Sequence, residues 1–245
     1  MNIHGVPAHK FFVSRALWAT GLGKFVTFRL KEGYRLRFYP SSISTLIWCD
    51  RECYEHDAQV LAKYLRRGDT FVDVGANIGV HTLLAANLVS PEGKVYSIEP
   101  HPRTFRFLQG NIRLNKFTNV QAIQAAVGEQ EGTAHLTSKR GDDMNCVSTS
   151  GLQVAQRPLD SIIPDGPVRL LKIDVEGFEL FVFRGSERVL RNTEIIYFEA
   201  CEPFFQRFGY STSDVLLFLA QHGFQTGHSP DYRPEKPENL IAVRH

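Results

Sequence analysis

A chain of 245 residues with 43% hydrophobic and 22% charged side chains has the composition of one large globular domain. Its net charge of +2 excludes the broad positive field that draws a protein onto nucleic acid, and no apolar run is long enough to cross a bilayer. The four cysteines, Cys49, Cys53, Cys146 and Cys201, make no CxxC pair and lack zinc-like histidine spacing, so free thiols in a reducing, cytoplasmic setting are expected.

The opening segment is basic, with Lys10, Arg15, Lys24 and Arg29 and no acid before Glu32. It lacks an uninterrupted apolar core followed by a small-residue cleavage site, so a packing helix over 8–20 is expected rather than a secretory signal. Residues 24–39 read as a hairpin, with strands at 25–30 and 34–39 around Gly33. Residues 41–54 carry no decisive pattern. Residues 1–54 are therefore read as an extension packed on a core domain spanning 55–245, one domain overall.

Apolar positions at Ala58, Val60, Leu61, Tyr64 and Leu65 predict a helix over 55–65. Phe71, Val72 and Val74 then predict a strand covered on both faces, followed by a turn between Gly75 and Gly79 and a helix over 80–89. A ligand in that turn is expected to meet free amides at the helix start. Strands follow at 94–99, 120–127 and 133–137, with a helix opened by Pro102 between the first two. The polar stretch 138–151 reads as a substrate loop or lid. A strand over 169–174, a helix carrying Gly185 near its middle, and a buried strand over 194–199 come next. Ser213 and Asp214 are expected to cap a helix over 215–221, and 240–243 is the last predicted strand, antiparallel after the long connection 229–238. Alternating strands and helices predict an α/β fold: a mostly parallel sheet with helices on both faces.

Three nucleotide-type ligands compete for the turn. GxxxxGK[ST] is absent, which disfavours a phosphate-cradling loop. Asn77 stands where a dinucleotide site has its second glycine, against a pyrophosphate. S-adenosylmethionine has no phosphate and tolerates the shorter pattern. Glu99 ends the second strand, where its carboxylate can accept from both ribose hydroxyls; that residue suits NAD equally.

Asp73-Val74-Gly75-Ala76-Asn77-Ile78-Gly79, Glu99-Pro100, Ala126-Val127-Gly128 and Lys172-Ile173-Asp174-Val175-Glu176-Gly177-Phe178-Glu179 together resemble the FkbM family of S-adenosylmethionine-dependent methyltransferases. The likeness covers about 54–224. It implies the seven-stranded class I methyltransferase fold and O-methylation of natural products and sugars. It further implies that Asp73, Gly75, Ala76 and Asn77, with Gly79 closing the turn, lie along the methionine end of the cofactor. Glu99 would hold the ribose, and Ala125 and Ala126 would lie by the adenine. His81 and Thr82 receive no role.

Transfer from a sulfonium is an in-line displacement, so alignment carries much of it, and a hydroxyl acceptor must also lose a proton. Asp174, at the end of its strand, is the candidate base; orienting the cofactor's amino group or capping the next helix is the alternative. Asp174, Glu176 and Glu199 are also candidate ligands for a divalent metal, although no spacing demands one and none is assigned. His101 reads as a solvated helix-start residue and His135 as a weak alternative base. Phe204-Phe205-Gln206-Arg207-Phe208 reads as core cover in preference to a stacking platform. The paired-proline motif of base-nitrogen methyltransferases is missing, which points to a hydroxyl acceptor. The expected acceptor is a small molecule or oligosaccharide, with no nucleic acid. The leading specific expectation is the 2-hydroxyl of fucose on a nodulation factor. A lipid or polyketide hydroxyl, or a non-catalytic binding protein on the same fold, are the alternatives. Nothing in the sequence fixes the oligomeric state.

Overall fold

The computed structural model of the protein describes residues 2–3, 6–137, 146–227 and 233–245. Its centre is a seven-stranded sheet with strand order Val120–Ile123, Lys94–Ile98, Thr70–Val74, Val168–Ile173, Thr193–Ala200, Glu238–Arg244, Phe224–Gly227. All strands run parallel except Glu238–Arg244, which is antiparallel to both of its neighbours, as expected for the last strand.

The apolar runs fold this way because both faces of the sheet are covered. Phe71, Leu170 and Ile195 enter one hydrophobic cluster, and Val72, Leu171 and Ile196 enter the other. Side chains alternate across a strand, so a run apolar at every position supplies both layers at once. The first cluster contains Phe28, Leu36, Phe38 and Ile47 as well as Leu61 and Leu83, so the N-terminal segment shares its core with the sheet.

The helices Ala8–Thr20 and Val80–Val89 have their predicted bounds, and Glu55–Tyr64 ends one residue short of its prediction. Residues 41–54, illegible in sequence, begin with the helix Ser42–Cys49, whose N-cap Ser41 accepts from Ser44 N at 2.9 Å. The hairpin is shorter than expected, Thr27–Arg29 against Arg35–Arg37, and Phe25 at its open end belongs to the 3₁₀ turn Leu22–Phe25. The predicted strand 120–127 divides. Val120–Ile123 stays in the large sheet, whereas Ala126–Val127 pairs with Leu152–Arg157 in a second, four-stranded sheet with Gly132–Leu136 and Val147–Ser148. The predicted loop therefore contains a strand, and its residues 138–145 lie outside the described residues.

The helix expected through Gly185 is two helices, Glu179–Arg184 and Glu187–Arg191. The break follows from close passage of another strand end: a Cβ on Gly185 would stand 2.1 Å from the Gly128 carbonyl oxygen. The cap expected at Ser213 and Asp214 shifts to Ser211, which forms a capping box with Asp214 and starts the helix at Thr212. Among the described residues, no helix is long and apolar enough to cross a membrane.

Candidate active site

The carboxyl ends of Thr70–Val74, Lys94–Ile98 and Val168–Ile173 open onto a cavity of about 360 Å³, within the ordinary range for a small-molecule site. The turn after the first strand is held in unusual backbone geometry, with φ of 82°, 50° and 96° at Gly75, Asn77 and Gly79. Gly75 is fixed by contact as well as angle. A Cβ there would lie 1.8 Å from the Asp174 carbonyl oxygen, so the turn and the end of Val168–Ile173 touch backbone to backbone.

The amides of the turn itself are committed within the protein, ahead of the helix-start amides that a ligand is expected to meet. Gly75 N and Ala76 N donate to Ile98 O, both at 3.0 Å, and Gly79 N donates to Ala76 O at 2.9 Å. Asn77 N donates to Glu99 Oε2 at 3.0 Å, and Ile78 N to the Asn77 side chain at 2.8 Å. Amides committed inside the protein cannot cradle a phosphate, which suits a phosphate-free ligand. Glu99 is buried, at 7% exposure, and lines the cavity; its Oε1 accepts from His101 N at 2.9 Å. Two main-chain donors thus hold a carboxylate at the cavity wall. His101 is a helix-start residue as expected, but it is buried rather than solvated and also lines the cavity. Its Nδ1 accepts from Arg103 N at 3.2 Å, and burial together with the Arg103 charge lowers its pKa.

Of the residues expected at the cofactor, Gly75, Ala76, Asn77, Glu99, Ala125, Ala126 and Asp174 line the cavity. Asp73 and Gly79 do not. Asp73 points into the protein, wholly buried, where it accepts from Thr82 Oγ1 at 2.6 Å and stands 3.6 Å from Lys172 Nζ. The reason is strand alternation: Asp73 sits in register with Ser97 on one side and Lys172 on the other, and Lys172 with Tyr197. These four side chains form a buried polar row across the sheet, and Thr82 bridges Asp73 to Ser97 from the helix above.

Lys172 is the hub. Its ammonium reaches Asp174 Oδ2 at 3.1 Å as well as Asp73. Burial opposes its charge, but the Asp174 and Asp73 carboxylates outweigh burial and raise its pKa above the ordinary lysine value. Asp57 extends the row, accepting from Tyr197 Oη, from Asn239 Nδ2 at 3.4 Å and from His81 Nε2 at 3.1 Å. Burial works against its charge too, yet His81, Tyr197 and Lys172 hold it well below the usual carboxylate range. Sequence reading passed over Lys172, Asp57 and Tyr197. The available signal was Lys172 inside a run otherwise apolar on both faces, since a charge buried there demands a partner; Asp57, in a helix of mixed polarity, carried none.

Asp174, Glu176 and Glu199 bring one carboxylate oxygen each within 4.8 Å of the others, so the acids singled out in the sequence do converge. Burial and the neighbouring carboxylates of Asp174, Glu176 and Glu179 push Glu199 up to about 9. Burial likewise pushes Glu179 up to about 8, although its Oε1 accepts from Val175 N at 3.0 Å. His135 stands away from the cavity, bonded to Gln153 Nε2 at 3.2 Å. In the 204–208 patch, Phe205 is core and Phe208 packs against it, while Arg207 lies over Phe204 and donates to Glu176 O at 2.8 Å.

Residues 73–226 match the family described as the methyltransferase FkbM domain. The chain belongs to the FkbM methyltransferase family. It is 31% identical over 209 residues to Methyltransferase 1 of Beauveria bassiana, covering 72% of this chain and 82% of that one. It is 29% identical over 203 residues to the hexuronic acid methyltransferase AglP of Haloferax volcanii, covering 80% of each. A crystal structure of a SAM-dependent methyltransferase from Aquifex aeolicus superposes with a TM-score of 0.52 at 19% identity, over 84% of this chain and 99% of that one. The protein is thus a class I S-adenosylmethionine-dependent methyltransferase, with the strand order and single antiparallel strand described above. The cavity suits that cofactor chemically. Its turn amides are spent within the protein, it places a fixed carboxylate at one wall, and it has Ile98, Ala125 and Val127 as apolar neighbours.

Proposed function

We propose that the protein transfers the methyl group of S-adenosylmethionine to a hydroxyl oxygen of a small molecule with substantial apolar surface. One observation carries the acceptor class. Besides the glycine turn and Glu99, the cavity lining includes Ile43, Leu46, Tyr54, Leu136, Val147 and Phe178. Such a wall recognises an acceptor by burying carbon, beside the polar groups of Ser42, His81, Glu176 and Glu199 that also line the cavity. Carboxylate acceptors are disfavoured by the acids Asp174 and Glu176 at the same site, where Lys172 is already committed to Asp174 and Asp73. The cavity's size and the small net charge argue against a nucleic-acid acceptor.

The bound cofactor supplies an electrophilic methyl on a sulfonium. Gly75, Ala76 and Asn77 bracket its methionine end in this reading, Glu99 accepts from the ribose hydroxyls, and Ala125 and Ala126 flank the adenine. Asp174, fixed by Lys172, takes the orienting role left open by its place at the strand end: it receives the cofactor's amino group and sets the approach line. Asp73 and Gly79 act at one remove, Asp73 by anchoring Lys172 and Thr82.

A secondary metabolite of lipid or polyketide type fits the lining best. The saccharide reading, with the 2-hydroxyl of fucose as its specific form, draws on the similarity to the Haloferax protein. Methyl transfer from labelled S-adenosylmethionine to a panel of aliphatic alcohols, phenols, fucosides and hexuronic acids separates them. Turnover of apolar alcohols above fucosides is expected. Turnover confined to hexuronic acids and giving a base-labile methyl ester would refute the hydroxyl reading. Asp174→Asn is expected to weaken cofactor binding at least tenfold, read by calorimetry with S-adenosylhomocysteine, because it removes the charge that meets the amino group.

A further inference from the structure

The fold places His81 at the wall of this cavity, with Asp57 of a different helix bonded behind it. His81 sits in the first turn of Val80–Val89, lines the cavity and is 9% exposed. Its Nε2 lies 3.1 Å from Asp57 Oδ2, and Asp57 Oδ1 is held by Tyr197 and Asn239. A carboxylate held below its usual range is an acceptor only, so the nitrogen facing it must be the N–H donor. That fixes the tautomer. Nε2 carries the hydrogen, and Nδ1 keeps the lone pair. The Tyr54 ring, which also lines the cavity, meets the imidazole edge to face at 5.5 Å and limits its rotation.

From this geometry we infer that His81, backed by Asp57, is the group that takes the proton of the acceptor hydroxyl. The inference rests on the hydroxyl reading above. As the acceptor oxygen bonds to the methyl carbon, the carbon–sulfur bond breaks and its electron pair stays on sulfur. The hydroxyl proton passes to Nδ1, and the positive charge lost from the sulfonium appears on the imidazole, next to the Asp57 carboxylate. Asp57 acts as a positioning residue: it sets the tautomer and steadies the charged ring. Asp174 is less suited to this task because Lys172 occupies one of its oxygens. The other charged groups around the ring are Lys172 beyond Asp57, and Lys31, Glu32, Arg51, Glu52 and Glu55 around a small cleft on its outer side.

The test uses the full chain with ¹⁵N-histidine, saturated with S-adenosylhomocysteine, alongside His81→Gln and Asp57→Asn. In the parent protein the His81 nitrogen shifts should report the Nε2–H tautomer, and Asp57→Asn should abolish that preference. With benzyl alcohol and methyl fucoside as acceptors, His81→Gln should lower kcat/KM at least about 100-fold and erase the rising limb of the pH profile. Its affinity for S-adenosylhomocysteine should stay within threefold of the parent. Asp57→Asn should lower kcat/KM about tenfold and shift that limb. An Nδ1–H tautomer, or transfer by His81→Gln within threefold of the parent with an unchanged pH profile, overturns the inference alone. No transfer by the parent to either alcohol defeats the hydroxyl reading, and the inference falls with it.

Discussion

Glu99→Gln tests how the cofactor wall is built. In the native protein both carboxylate oxygens accept main-chain hydrogens, Oε2 from Asn77 N at 3.0 Å and Oε1 from His101 N at 2.9 Å. A glutamine keeps the shape but has one acceptor oxygen, so its NH₂ must face one of those two N–H groups. An unsatisfied buried donor costs about 1–3 kcal/mol, and the amide makes weaker bonds to ribose hydroxyls than the carboxylate does. Stability should therefore fall by about 1–3 kcal/mol, read by urea unfolding. The dissociation constant for S-adenosylhomocysteine should rise about 10- to 100-fold, read by calorimetry. Glu129→Gln is the control, because Glu129 is an exposed partner of Arg184 at 3.8 Å and should change neither quantity. If Glu99→Gln bound S-adenosylhomocysteine within threefold of the parent, Glu99 would not be a ribose ligand.

Gly75→Ala should abolish cofactor binding and lower the melting temperature by at least about 4 °C, since its Cβ would lie 1.8 Å from the Asp174 carbonyl at a φ of 82°. Normal binding by that variant would show that the turn and the Asp174 backbone can separate freely. Glu199, pushed up to about 9, stays protonated when folded but ionises near its ordinary value when unfolded. Stability should therefore fall as pH rises from about 5 to 9, and Glu199→Gln should flatten that decline; a slope unchanged in the variant would dismiss Glu199 as its source. Exhaustive chelation should leave turnover intact, because Lys172 already supplies positive charge at Asp174. Loss of turnover that magnesium restores would instead make Asp174, Glu176 and Glu199 a metal site.

The stretch from Thr70 to Val89 was legible because its signals are local: an apolar run, glycines where φ turns positive, and an apolar helix behind them. Glu99 was legible for the same reason, standing one residue past a strand that the sequence marks clearly. The departure of Ala126–Val127 into a second sheet was not, because its partner, Leu152–Arg157, lies beyond another hairpin strand and pairs by register rather than by pattern. Misplacing the helix cap at Ser213 instead of Ser211 is a smaller error of the same kind, since several polar residues there can serve and geometry selects one.

The family, the parallel sheet, the turn and the carboxylate at its edge can be read from the chain alone, because each depends on residues within one or two elements. Tertiary structure alone decided which way those residues face. It turned Asp73 away from the cavity to anchor Lys172, joined Asp57 to Tyr197 across 140 positions and to His81 across 24, and drew Asp174, Glu176 and Glu199 together. Buried charges must find partners wherever the fold puts them, and strand register, which no local pattern encodes, puts them side by side.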